Sequence, residues 1–104
     1  MYKNIDNNAF QEGMAKEDAV LIDVRSGMET MDGIIPGAIL IDIMGGDFMD
    51  KVQGMDKNKV YYIYCRSGNR SGAACGAMAN MGFNHLNNLA NGIMMWDGPV
   101  VLPQ

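Results

Sequence analysis

Two short runs, Val20-Leu21-Ile22-Asp23-Val24 and Val60-Tyr61-Tyr62-Ile63-Tyr64, are apolar or aromatic almost throughout instead of at every second position. A strand with one wet face alternates in polarity, whereas a strand covered on both faces does not. Both runs are short and the second is rich in β-formers, so strands explain them better than buried helices. Ala38 to Ile41 and Leu86 to Leu89 are weaker candidates of the same kind. The stretches between these runs read as helices. The chain is therefore expected to be α/β, with a parallel sheet flanked by helices on both faces.

The helical stretches carry their own start and stop signals. Asp6 or Asn7 can cap an opening helix in which Phe10 and Met14 share a face. Ser26-Gly27-Met28-Glu29 is a capping box, opening a short helix that Gly33 closes. Phe48 to Val52 predicts another. Ser71 to Met81 offers Ala74, Met78 and Met81 as a core stripe, with Gly82 as its stop. Asn91 to Trp96 predicts a last helix.

At 104 residues, 48% of them apolar and 19% charged, residues 1–104 suffice for a single domain with its own core. The net charge of −4 argues against nucleic acid or an anionic membrane as partner. No apolar leader opens the chain and no stretch approaches membrane-spanning length. Cys65 and Cys75 are the only cysteines and are too far apart for a Cys-x-x-Cys redox or zinc motif. A reducing, cytoplasmic setting is expected, with no metal.

Of three arginines, two lie in the segment Cys65-Arg66-Ser67-Gly68-Asn69-Arg70-Ser71. This segment leaves the carboxyl end of a buried strand and runs into a helix, the place where parallel α/β sheets bind ligands. Gly68 and Asn69 tolerate positive φ, so the backbone can curl and turn successive N–H groups inward. Those amides and the helix N-terminus make an anion cradle with Cys65 at its rim. Such surroundings lower a thiol from its usual value of about 8.5 and favour the nucleophilic thiolate. A buried core thiol at a strand end is the alternative, since free cysteine packs well in cores.

The loop resembles the active-site loop of rhodanese-domain sulfurtransferases. Leu21-Ile22-Asp23-Val24-Arg25 resembles that family's first-strand motif, and Gly33-Ile34-Ile35-Pro36-Gly37-Ala38 its central Gly-His-Ile-Pro-Gly-Ala. Asn91-Gly92-Ile93-Met94-Met95-Trp96 resembles its closing Gly-Gly-x-x-x-Trp. The resemblance spans about Ala19 to Trp96 and implies five parallel strands between helices, a persulfide on Cys65, and no cofactor. Ile34 stands where the family usually has histidine, Asn91 replaces a glycine, and Ser26 stands where glutamate is common. Family sulfurtransferases have six loop residues counted from the cysteine, here Cys65 to Arg70, whereas the related phosphatases have one more. Basic side chains in the loop, here Arg66 and Arg70, resemble the thiosulfate-using branch, not the mercaptopyruvate one.

Other residues take quieter roles. Cys75 falls beside the core stripe and reads as packing, with a resolving thiol as the alternative. His85 reads as a surface residue in a loop between helix and strand. The eleven methionines read as adaptable core filler; soft-metal binding is the alternative. Asp23 and Glu29 are expected to support the site by pairing with Arg25 or Arg70, not to act as an acid–base pair. Three functions compete. One is transfer of sulfur from a small anionic donor such as thiosulfate to a thiol or cyanide. Another is a persulfide carrier with a protein sulfur donor or acceptor. The third is phosphatase or arsenate reductase chemistry, disfavoured by the short loop.

Overall fold

In the computed structural model, which describes residues 1–103, five strands form one sheet. They are β1 (Lys3–Ile5), β2 (Ala19–Asp23), β3 (Ile39–Leu40), β4 (Val60–Tyr64) and β5 (His85–Leu89). Their order is β1-β5-β4-β2-β3 and every pairing is parallel. The two runs most apolar in sequence are neighbours near the middle, in register from Ala19 opposite Val60 to Asp23 opposite Tyr64. Strands in that position are covered on both faces, which is why their sequences do not alternate.

Side chains of β4 divide between two cores. Tyr61 and Ile63, continued by Cys65, point to one side, where α3 (Phe48–Gln53) and α4 (Asn69–Asn80) supply Phe48, Val52, Ala74, Cys75 and Met78. Tyr62 and Tyr64 point to the other, against Phe10 of α1 (Asn7–Met14) and Trp96. Phe10 meets Tyr62, Tyr64 and Trp96 edge-on, with ring centroids 5.5 to 6.3 Å apart, a favoured aromatic geometry. Helices therefore lie on both faces. Among the described residues no helix is long and apolar enough to cross a membrane.

Local signals are largely obeyed. The Asp6 carboxylate accepts from the Ala9 amide and caps α1. Ser26 Oγ accepts from the Glu29 amide at the start of α2 (Gly27–Thr30). Helix α4 ends in a Schellman turn, in which Phe83 N–H donates to Met78 C=O and Gly82 N–H to Ala79 C=O. Gly82 takes a φ of 98° there.

Some expectations are corrected. The fifth strand, Lys3-Asn4-Ile5, has no apolar run; it exists because its backbone pairs with Asn87 to Leu89 at the sheet edge. Helix α4 starts at Asn69, two residues before Ser71, so Asn69 is helical and only Gly68 takes positive φ in the loop. His85 opens β5, although it is exposed. The expected last helix contracts to a single 3-10 turn, Ile93–Met95, because its residues bond to the neighbouring loop instead. Met78 is the only fully buried methionine among the described residues, with Met14, Met55 and Met81 packing at the edges of the cores. Met28, Met31, Met44, Met49, Met94 and Met95 are exposed, on short helices and turns whose outer faces meet solvent.

Candidate active site

Cys65 follows the last residue of β4 and is 1% exposed. The chain then reverses within three residues. Gly68, with φ 100° and ψ −11°, makes the turn and caps α4. A side chain is excluded there twice over, because a Cβ would also overlap the Ala90 carbonyl. The reversal aims donors back at the sulfur. Cys65 Sγ accepts from the Gly68 amide at 3.1 Å, the Ser71 hydroxyl at 3.3 Å and the Ser71 amide at 3.4 Å. Burial pushes this thiol up, but the Ser71 hydroxyl, followed by the Ser71, Gly68 and Ser67 amides, outweighs burial and brings it below its ordinary value. By contrast Cys75, buried without such donors, is pushed up to about 12. One cysteine is prepared for ionisation and the other is core.

The two loop arginines have different fates. Arg70 Nη1 and Nη2 donate to Glu29 Oε1 and Oε2 at 2.8 and 2.7 Å, a fork-to-fork pair between the first turn of α4 and α2. The Arg70 hydrogen bonds hold the Glu29 carboxyl down at about 2, against burial that opposes ionisation. Arg66 is exposed and makes no ion pair among the described residues. The positive charge anticipated at two positions is therefore free at one.

Asp23 and Arg25 form a second, buried pair at the end of β2. Arg25 Nη2 donates to Asp23 Oδ2 at 2.8 Å and to the Gly33 carbonyl at 2.7 Å. Its Nε shares both Asp23 oxygens at 3.1 Å. The Tyr64 hydroxyl accepts from the Ile35 amide at 3.0 Å, so the central Ile-Pro-Gly segment is tied to β4 directly beside Cys65. Burial, with the Asp23 charge nearby, keeps this phenol well above its ordinary value. The site thus rests on two ion pairs with separate partners.

A sequence model of the rhodanese-like domain matches residues 6–98. The chain belongs to the rhodanese-like family. The Bacillus subtilis protein YtwF is 39% identical over 97 residues, covering 92% of this chain and 91% of its own. A protein of Allochromatium vinosum named Sulfurtransferase is 33% identical, covering 100% of this chain and 99% of its own. Among solved structures, a rhodanese-related protein from Thermoplasma volcanium superposes with a TM-score of 0.84 at 30% identity, over 98% of this chain and 100% of that one.

Within this rhodanese-like frame, two features escaped sequence reasoning. Asn88 of β5 is buried and donates through Nδ2 to the Gly68 carbonyl at 3.0 Å and to Asn4 Oδ1 at 2.9 Å, anchoring the loop to the sheet. Two adjacent asparagines, Asn87 and Asn88, in a strand of only five residues were the available signal. The other is the contact that the closing motif makes with the Cys65 loop. Ile93 N–H donates to the Cys65 carbonyl at 2.9 Å and Met94 N–H to the Arg66 carbonyl at 3.1 Å. Gly92, at φ 69°, lies so close that a Cβ would overlap the Arg66 carbonyl. The rhodanese-like closing glycine is thus a contact requirement: it lets one loop brace the backbone of the other.

Proposed function

We propose that the protein is a sulfurtransferase in which Cys65 carries sulfur as a persulfide, with thiosulfate or a similar small anion as donor and a thiol or cyanide as acceptor. The observation that carries this reading is the convergence of the Ser71 hydroxyl and the Gly68 and Ser71 amides on Cys65 Sγ. The Cys65 thiolate attacks the outer sulfur of thiosulfate, the S–S bond breaks, and sulfite departs with the electron pair. The amides that held the thiolate then hold the persulfide anion in the curl of Arg66, Ser67, Gly68, Asn69, Arg70 and Ser71. In the second half-reaction the acceptor attacks the outer sulfur and Cys65 leaves as thiolate. Arg66 is the free cation that meets the anionic donor. Arg70, Glu29, Asp23 and Arg25 position the loop.

The Arg70–Glu29 pair favours a second reading. With one guanidinium instead of two available to a small dianion, a protein donor that brings its own contacts competes well, and the chain would serve as a persulfide carrier. The same pair weighs against phosphatase chemistry, which needs the loop arginine to clamp phosphate oxygens. The test is mass spectrometry of the intact protein after incubation with thiosulfate. One added sulfur of about 32 Da that cyanide removes and Cys65→Ala prevents is expected. An adduct on Cys75, or none with any sulfane donor, would refute the reading; loading only by a protein donor would select the carrier.

A further inference from the structure

Gly68 serves the cradle in two ways. Its N–H donates to Cys65 Sγ at 3.1 Å, and its φ of 100° turns the chain into α4. A glycine reaches that conformation without strain, but with no Cβ it is equally free to leave it. Contacts outside the residue must therefore hold it. Two donors converge on its carbonyl, the Gly72 amide at 3.0 Å and Asn88 Nδ2 at 3.0 Å. The Gly72 bond belongs to the first turn of α4 and travels with that helix. The Asn88 bond comes from the sheet. Strand β5 pairs with β4, with Asn88 in register opposite Ile63, so Asn88 sets the loop against the strand that leads into Cys65.

Asn88 is 3% exposed, and its amide is oriented from its other side. Asn4 of β1 is its register partner, and Asn4 Oδ1 accepts from Asn88 Nδ2 at 2.9 Å. Both hydrogens of the amide nitrogen are thus given to oxygens, one on the loop and one on the edge strand. Asn88 Oδ1 is left buried without a partner, the only side-chain nitrogen or oxygen so left among the described residues. A buried unpaired carbonyl is costly. Turning the amide over would not relieve it, because Oδ1 would then face the Gly68 carbonyl and both bonds would be lost. The orphaned oxygen is the consequence of aiming the nitrogen at two acceptors.

We propose that Asn88 is a positioning residue for the nucleophile: oriented by Asn4, it fixes the Gly68 peptide so that the Gly68 amide stays on Cys65 Sγ. The edge strand β1 thereby acts on the sulfur through two side chains. The proposal rests on the reading of Cys65 as the sulfur-carrying nucleophile, but ionisation of the thiol reports it without any sulfur donor.

The experiment titrates the Cys65 thiolate by ultraviolet absorbance in the intact chain. It also measures urea stability and, after loading with sodium polysulfide, single-turnover discharge to cyanide. Asn88→Leu keeps the approximate side-chain volume and removes both donors together with the unpaired oxygen. The two losses offset each other in stability, so urea denaturation should change little. The thiolate midpoint should rise, and discharge should slow about tenfold because the reacting group is no longer held in place. Asn4 is exposed, so Asn4→Ala should fold normally and give the same changes at smaller size. In the double variant the Asn4 change should add nothing, since it acts through Asn88. Asn87→Ala is the control. It removes a 3.2 Å bond from the preceding residue to the Tyr61 carbonyl and should lower stability without moving the midpoint.

An unmoved midpoint in Asn88→Leu would overturn the proposal and leave Asn88 a purely structural anchor. A shift as large in Asn87→Ala would do the same, and additive effects of Asn4 and Asn88 would break the relay between them. Should Asn88→Leu not fold, Asn4→Ala decides alone, and an unmoved midpoint there overturns the proposal. If the midpoints shift as expected but Cys65 takes up sulfur from no donor, the persulfide reading falls while the positioning of the thiol stands.

Discussion

Glu29 and Arg70 stand 41 positions apart in the chain and meet in a two-point ion pair of 2.8 and 2.7 Å. The pair joins the capping box of α2 to the first turn of α4, so the cradle around Cys65 is fastened to a segment outside the loop. Each side chain is about one-third exposed, at 31% and 32%, so water screens the pair and its worth is modest, about 1 kcal/mol.

That pair should make stability pH-dependent in a defined window. The Glu29 carboxyl titrates at about 2 in the folded protein, against 4.5 as its ordinary value. The folded value is the lower one, so the contribution is complete above about 4.5 and disappears as pH falls towards 2. Urea denaturation of wild type and Glu29→Gln should differ by about 1 kcal/mol at pH 7 and converge near pH 2. A constant difference across that range would mean the glutamine acts through something other than lost charge.

The Cys65 thiolate should be present at neutral pH to a greater extent than for an ordinary thiol. Its absorbance, read near 240 nm and corrected with Cys65→Ala, should titrate below the ordinary thiol value. Ser71→Ala removes the strongest of the donors to the sulfur, so the midpoint should rise. Cys75 stays silent below pH 9 because burial pushes it up to about 12. An unchanged midpoint in Ser71→Ala would show that the amides suffice.

The two loop arginines should separate kinetically in a thiosulfate assay. Arg66→Gln removes the free cation and should raise KM several-fold, with an effect that shrinks as salt rises. Arg70→Gln leaves the Glu29 carboxylate without its partner near the cradle, so kcat should fall more than KM rises, with some loss of stability. Matching KM increases from both variants would mean that Arg70 leaves Glu29 to bind the donor.

Gly92→Ala should damage the site without touching its chemistry. The new Cβ is strained at φ 69° and overlaps the Arg66 carbonyl, so the loop must move. A loss of about 2 kcal/mol or more in stability is expected, together with a large fall in sulfur transfer, measured by thermal melting and turnover. Cys75→Ser tests the opposite case: a hydroxyl buried in an apolar core should cost about 1–3 kcal/mol while turnover per folded molecule is kept.

Chemistry was legible from the sequence wherever neighbours along the chain decide it. The strands β2 and β4 were legible because burial on both faces writes a continuous apolar run. The cradle was legible because a strand end, Gly68 and a helix start are contiguous, and the caps at Asp6, Ser26 and Gly82 act within a few residues. Partner choice was another matter. That Arg70 takes Glu29 while Arg66 stays free depends on where α2 lies against α4, and both arginines look alike in the loop. Strand β1 has no local signal, since an edge strand is held by the backbone of β5 more than by its own side chains. The methionines at Met28, Met31, Met44 and Met94 have core-like chemistry yet lie outside, because the turns that carry them are too short to bring a second element over them. The brace of Gly92 on Arg66 and the backbone bridge between Ile34 and Val101 join segments far apart in the chain. Local residue preferences carry no record of such contacts; only the packed fold, in which close approach excludes a Cβ and two backbones share hydrogen bonds, decides them.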